Sequence, residues 1–132
     1  MDLNEFARFA SLDAENMLAH IDGLPQQLLH AWKSGMAQAL PVMQSVDRIV
    51  VAGMGGSAIG ADLLTAYLAD KLPIPMIVHR DYGLPGYARG TGTLVVISSH
   101  SGNTEESLSA FDQAYENGCQ VIAVCTGGNG MV

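Results

Sequence analysis

Residues 24–43, LPQQLLHAWKSGMAQALPVM, place Leu24, Leu28, Trp32, Met36, Leu40 and Met43 at every third or fourth position. That spacing lines one side of a helix with apolar side chains. Pro25 suits the first turn of such a helix, where its missing N–H costs little, and Pro41 marks an end or a kink. The stripe reads as core or as a subunit interface. A shorter helix with weaker patterning is expected over residues 4–19.

The texture changes from residue 47. Four apolar, β-branched runs read as strands: RIVVAG (48–53), PMIVH (75–79), TLVVISS (93–99) and QVIAVCT (120–126). Residues 57–72 and 104–118 read as helices, the second ending at a glycine. The strands are apolar at odd and even positions alike, the pattern of a parallel sheet covered by helices on both faces. The order predicts a doubly wound α/β layout of three layers, preceded by a helical lead-in. The link RDYGLPGYARGTG (80–92) has no helical pattern.

Composition narrows the reading. At 132 residues and 48% hydrophobic content the chain is one ordinary domain with a real core. A net charge of -7, with six Lys and Arg, argues against non-specific nucleic-acid binding and against an anionic membrane surface. It leaves room for a phosphorylated small molecule, because backbone amides and hydroxyls hold phosphate without cations. No apolar run reaches the roughly 18 residues of a membrane span, and the first residues lack the pattern of a signal peptide. Cys119 and Cys125 lie at or in an apolar run without metal spacing and read as buried, reduced thiols of a cytoplasmic protein. His20 and His30, on the lead-in, read as surface or interface residues. No metal or other cofactor is expected.

In a doubly wound sheet, ligands sit beyond the carboxyl ends of the strands. Two turns stand out there. GMGGSAIG (53–60) has Gly53, Gly55 and Gly56 where the chain turns sharply into a helix whose free N–H groups form a generic anion seat. Gly53, Gly55 and Ala58 also fit a loose dinucleotide fingerprint, with Asp81 beyond the second strand, and a tight connection without ligand is a third reading. It is not a Walker loop, since Ala61 follows Gly60 where Lys is required. The second turn, SSHSGNTEES, offers hydroxyls at Ser99, Ser101 and Thr104 around Gly102 and Asn103. Helix capping accounts for one or two of these residues and not for all three hydroxyls. A neutral cradle for phosphate accounts for them together. His100, Glu105 and Glu106 have simpler explanations than catalysis: a loop position, and acids favoured at a helix N-terminus.

GMGGSAIGADLL, HRDYGLP, TLVVISSHSGNTEESLSAF and GCQVIAVCTGG resemble the sugar isomerase (SIS) domain. More closely, they are similar to the amino-terminal half of the bifunctional phosphoglucose/phosphomannose isomerases. The resemblance implies a flavodoxin-like sheet with a sugar phosphate held by the two turns. It implies that Ser57, Ser99, Ser101 and Thr104 bond the phosphate, with Gly55, Gly56, Gly102 and Asn103 offering backbone close to the ligand. The reaction implied interconverts glucose 6-phosphate or mannose 6-phosphate with fructose 6-phosphate. In that family the acid–base residues come from the later half, so no catalytic residue is expected in this chain. The expected organisation is a lead-in over residues 1–45 and a SIS domain over 46–132, incomplete at its carboxyl end. Its fourth strand would lack a covering helix and a fifth strand, and such an open apolar edge is expected either to be completed by another chain, as in a homodimer or higher homo-oligomer, or to leave the fold poorly stable. A non-catalytic sugar-phosphate sensor and a dinucleotide-binding domain are the alternatives.

Overall fold

The computed structural model describes residues 11–128. They divide into two compact units, one ending at Pro41 and the other beginning at Val42.

The first unit carries helix α1, Met17–Met36. It starts earlier and ends earlier than the stripe predicts. Asp13 explains the start: its carboxylate accepts the N–H of Met17 at 2.6 Å and of Leu18 at 2.8 Å, satisfying two donors of the first turn. With the helix nucleated there, Pro25 falls inside it, not in its first turn, and the break expected between residues 19 and 24 does not form. The helix stops five residues before Pro41. Residues 4–10 of the shorter predicted helix lie outside the described residues. No residue of α1 is buried, and Leu28, Trp32 and Met36 of the stripe are each about two-thirds exposed or more (74%, 67% and 70%). The stripe is therefore no part of a core among the described residues. His20 and His30 are exposed as well.

The second unit runs β1 (Arg48–Gly53), α2 (Gly55–Leu68), β2 (Met76–His79), β3 (Thr93–Ser99), α3 (Glu105–Glu116) and β4 (Gln120–Cys125). All four strands are parallel, in the order β2-β1-β3-β4. The chain leaves β1 for one neighbour and later returns to its other side, so the order reverses between β1 and β3. Right-handed crossovers then place α2 and α3 on opposite faces of the sheet. The main core lies on the α3 face, where Val50, Ala52, Val95 and Ile97 meet Ala110 and Ala114. Ala58 and Ala61 are the buried residues of α2, and Ile59, Leu63 and Tyr67 of the same helix are exposed.

The link between β2 and β3 has no helix, as its sequence suggests. It still covers core, through buried Leu84 and Ala88. A row of polar side chains one turn apart on α3 holds it. Glu105 accepts the Tyr82 hydroxyl at 2.9 Å, Ser109 accepts the Gly83 N–H at 3.0 Å and Gln113 accepts the Leu84 N–H at 2.5 Å. Asn117, just past the helix, donates to the Ala88 carbonyl at 2.9 Å. The helix ends as expected at Gly118, whose φ of 68° lets Cys119 N–H return to the Ala114 carbonyl at 2.9 Å.

The expectation of two buried cysteines is not met in full by either. Cys119 is half-buried and Cys125 is exposed. The reason is the sheet edge: Ala123, Val124 and Cys125 of β4 have no described element over them. Burial pushes the Cys119 thiol up, against the lowering influence of Arg48 and Arg89. A water-soluble disulfide reagent is accordingly expected to consume one thiol quickly and the other slowly. Cys125→Ser should remove the fast phase; loss of the slow phase instead would refute the assignment.

Candidate functional site at the ends of β1 and β3

The reversal of strand order sets the carboxyl ends of β1 and β3 side by side, with Gly53 paired to Ser98. Two helix N-termini therefore converge. α2 begins at Gly55, two residues before the sequence suggests, with Met54 before it in extended conformation. Gly55 has φ 50°, a region glycine enters without the clash a side chain brings. A Cβ at Gly55 or Gly56 would meet no other atom within 4 Å, so open space lies before this helix end. α3 begins after Thr104, and its first main-chain bond is Leu108 N–H to the Thr104 carbonyl, 3.0 Å. The N–H groups of residues 105–107 have no intrahelical acceptor.

The four predicted hydroxyls lie on these two turns: Ser99, Ser101 and Thr104 contact one another, Ser57 meets the loop at the His100 main chain, and of the four only Ser57 and Ser99 line the depression there. The Ser57 Oγ accepts the His100 N–H at 3.2 Å, and the Ser57 carbonyl accepts the Ser98 hydroxyl at 3.1 Å, so the two turns are stitched directly. Ser99 Oγ accepts the Gly102 N–H at 3.2 Å, and Ser101 Oγ accepts the Asn103 N–H at 3.2 Å. Thr104 Oγ1 stands 3.1 Å from Ser99 Oγ and 3.4 Å from Ser101 Oγ. A serine hydroxyl has one proton and two lone pairs. At Ser57, Ser99 and Ser101 a main-chain N–H occupies one oxygen lone pair, leaving each a proton and a second lone pair. The two contacts to Thr104 use two of the three protons of Ser99, Ser101 and Thr104, which leaves one of these and the Ser57 proton to donate to an anion. Thr104 makes no capping bond to its own helix, consistent with a hydroxyl committed to this cluster. Ser99 is almost fully buried, Ser57 and Thr104 are half-buried, and Ser101 and Asn103 are exposed.

Gly102 is the tightest point. It has φ 70°, and a Cβ there would run into the Gly127 carbonyl oxygen. Gly128 in turn lies against the Ser101 carbonyl. The segment after β4 thus closes over the loop.

A depression of about 500 Å³ opens at this end of the sheet, lined by Gly56, Ser57, Ser99 and His100 from the two turns and by Cys125 and Thr126 from the end of β4. Thr126 was not singled out by its sequence context. Its hydroxyl donates to the His100 carbonyl at 2.6 Å, and it stands 3.4 Å from His100 Nδ1. Its position one residue past a strand end at the binding edge of the sheet was the available signal. Arg80 pairs with Asp62 of α2 and not with Asp81, whose carboxylate accepts the Tyr82 N–H at 2.8 Å. No group of three or more metal-ligating side chains occurs among the described residues.

The sequence profile of the SIS domain matches residues 42–131. The chain belongs to the SIS domain family. This SIS chain is 45% identical over 113 residues to a bifunctional phosphoglucose/phosphomannose isomerase of Caldicellulosiruptor bescii, a match covering 85% of the chain and 33% of that protein. It is 32% identical over 97 residues to a D-glucosamine-6-phosphate 4-epimerase of Sulfolobus acidocaldarius, covering 74% of the chain and 30% of that protein. A solved structure from Bacillus subtilis, described as a phosphosugar isomerase, superimposes with a TM-score of 0.53 at 26% identity, covering 62% of this chain and 26% of that one. The chain spans about a third of the length of the curated relatives it matches. No helix among the described residues is long and apolar enough to cross a membrane.

Proposed function

We propose that this SIS domain binds a hexose 6-phosphate within an aldose–ketose isomerase that interconverts glucose 6-phosphate or mannose 6-phosphate with fructose 6-phosphate. The observation that carries the reading is the convergence of the two helix N-termini with the hydroxyls of Ser57, Ser99, Ser101 and Thr104 at the switch point of the sheet. The names of the relatives support it. One is named for isomerisation and another for epimerisation at C4, yet both names carry a phosphorylated hexose. What the shared segment tracks is the phosphosugar, and not the position of proton transfer.

In this role the chain supplies binding and orientation. The hydroxyls and helix ends hold the phosphate, Gly55 and Gly56 leave the sugar room, and the reacting carbons are placed at a fixed distance from that anchor. Isomerisation needs ring opening and then a base to move a proton between C1 and C2. The residues lining the depression include His100 and no carboxylate, and in this reading the proton-moving groups come from elsewhere in the full assembly. The domain proper is assigned to residues 46–132, with a helical lead-in before it and a cytoplasmic setting. The exposed Ile59, Leu63 and Tyr67 of α2 support homo-oligomerisation.

Calorimetric titration with fructose 6-phosphate, fructose and NAD tests the reading. Binding of fructose 6-phosphate with no measurable heat from fructose or NAD is expected. Binding of NAD in preference to the sugar phosphate would replace it by a dinucleotide site. An isomerase assay on the same sample is expected to give little or no turnover.

A further inference from the structure

Three of the four contacts between α3 and the 82–88 link involve main chain that crosses the core, and covering the core explains them. The Tyr82–Glu105 bond is different. It joins two exposed side chains and crosses no core. Glu105 is also the first residue after Thr104, at the helix end that the candidate phosphate seat uses. A carboxylate there is drawn to the free N–H groups of the first turn by their partial positive charge. Settled on them, it would occupy the donors meant for the ligand and repel a phosphate. Instead, its Oε2 takes the Tyr82 hydroxyl at 2.9 Å, and no described side chain accepts the N–H groups of residues 105–107.

We propose that Tyr82 is a positioning residue that holds the Glu105 carboxylate off the N-terminus of α3 and so keeps that end open for phosphate. The inference rests on the phosphosugar reading of the site. Tyr82 is suited to the task as a donor. The Glu105 hydrogen bond and charge, then Glu106, slight burial and Asp81, all push its phenol up, so it stays protonated through neutral pH. Asp81 does not compete for the hydroxyl, because its oxygen is turned to the Tyr82 main-chain N–H.

The test compares the wild-type chain with Tyr82→Phe, Glu105→Gln and the double variant. Titration with fructose 6-phosphate should show Tyr82→Phe binding roughly three- to tenfold more weakly, the scale of one nearby partly screened charge. The loss should shrink at high salt. Adding Glu105→Gln should restore affinity, since the neutral amide no longer repels phosphate; a purely structural role for the pair would leave the double variant weak. In NMR spectra without ligand, the amide protons of Glu106 and Ser107 should move downfield in Tyr82→Phe and not in the double variant. Unchanged affinity in Tyr82→Phe, a double variant as weak as the single, or unmoved amides would overturn the proposal and leave the phosphosugar site standing. A wild-type chain that does not bind fructose 6-phosphate would overturn both.

Discussion

Gly102→Ala is expected to destabilise the second unit by on the order of 3 kcal/mol and to abolish measurable phosphosugar binding. Two penalties combine. Alanine at φ 70° pays the strain of a left-handed backbone, about 1–2 kcal/mol. Its Cβ would also overlap the Gly127 carbonyl oxygen, a main-chain atom that cannot rotate away. The loop or the segment after β4 must then shift, and the hydroxyls of Ser101 and Thr104 shift with it. Gly90 provides the control. It has φ 72°, and a Cβ there would meet nothing within 4 Å. Gly90→Ala should therefore show the strain penalty alone, roughly 1–2 kcal/mol. Urea unfolding of the two variants measures the difference. Equal losses would mean that the close approach of Gly102 to the 127–128 segment costs nothing to disturb.

Thr104→Val is expected to weaken fructose 6-phosphate binding by about 10- to 100-fold while changing stability by less than about 1 kcal/mol. Valine keeps the shape and suits the extended backbone at this position (φ -66°, ψ 125°). The hydroxyl is removed from the centre of the cluster, where it stands within 3.4 Å of both Ser99 and Ser101. A hydrogen bond to a charged acceptor is worth about 1.5–3 kcal/mol, which sets the expected loss of affinity. Stability should change little because Thr104 does not cap its helix, so no capping bond is lost. Titration and unfolding on one preparation separate the two effects. A large fall in stability with ligand affinity intact would show that the cluster is structural and not a ligand site.

The strands β1 and β3, the Gly118 helix end and the 99–104 hydroxyl loop were legible because each is written within a few residues. Apolar runs, a glycine that accepts positive φ, and hydroxyls at spacings of two and three are local facts, and the loop's own hydrogen bonds span no more than five residues. The helix α1 was misplaced for the same reason. Its stripe and prolines do not report Asp13, whose carboxylate fixes the start at Met17 and leaves Pro25 inside. Cys125 is exposed despite its apolar run, because such a run reports what a strand can bury and burial itself depends on what lies over it.

Tertiary structure alone decided the rest. Strand order brings Ser57 to the His100 N–H, Thr126 to the His100 carbonyl and Gly127 to Gly102, across separations of 43, 26 and 25 residues. It also lays Tyr82 on Glu105. The sequence by itself determined the hydroxyls of the 99–104 loop, which meet one another locally; only the reversal of strand order between β1 and β3 brought Ser57 beside that loop, because contacts between distant segments are fixed by the topology of the sheet and not by any local propensity.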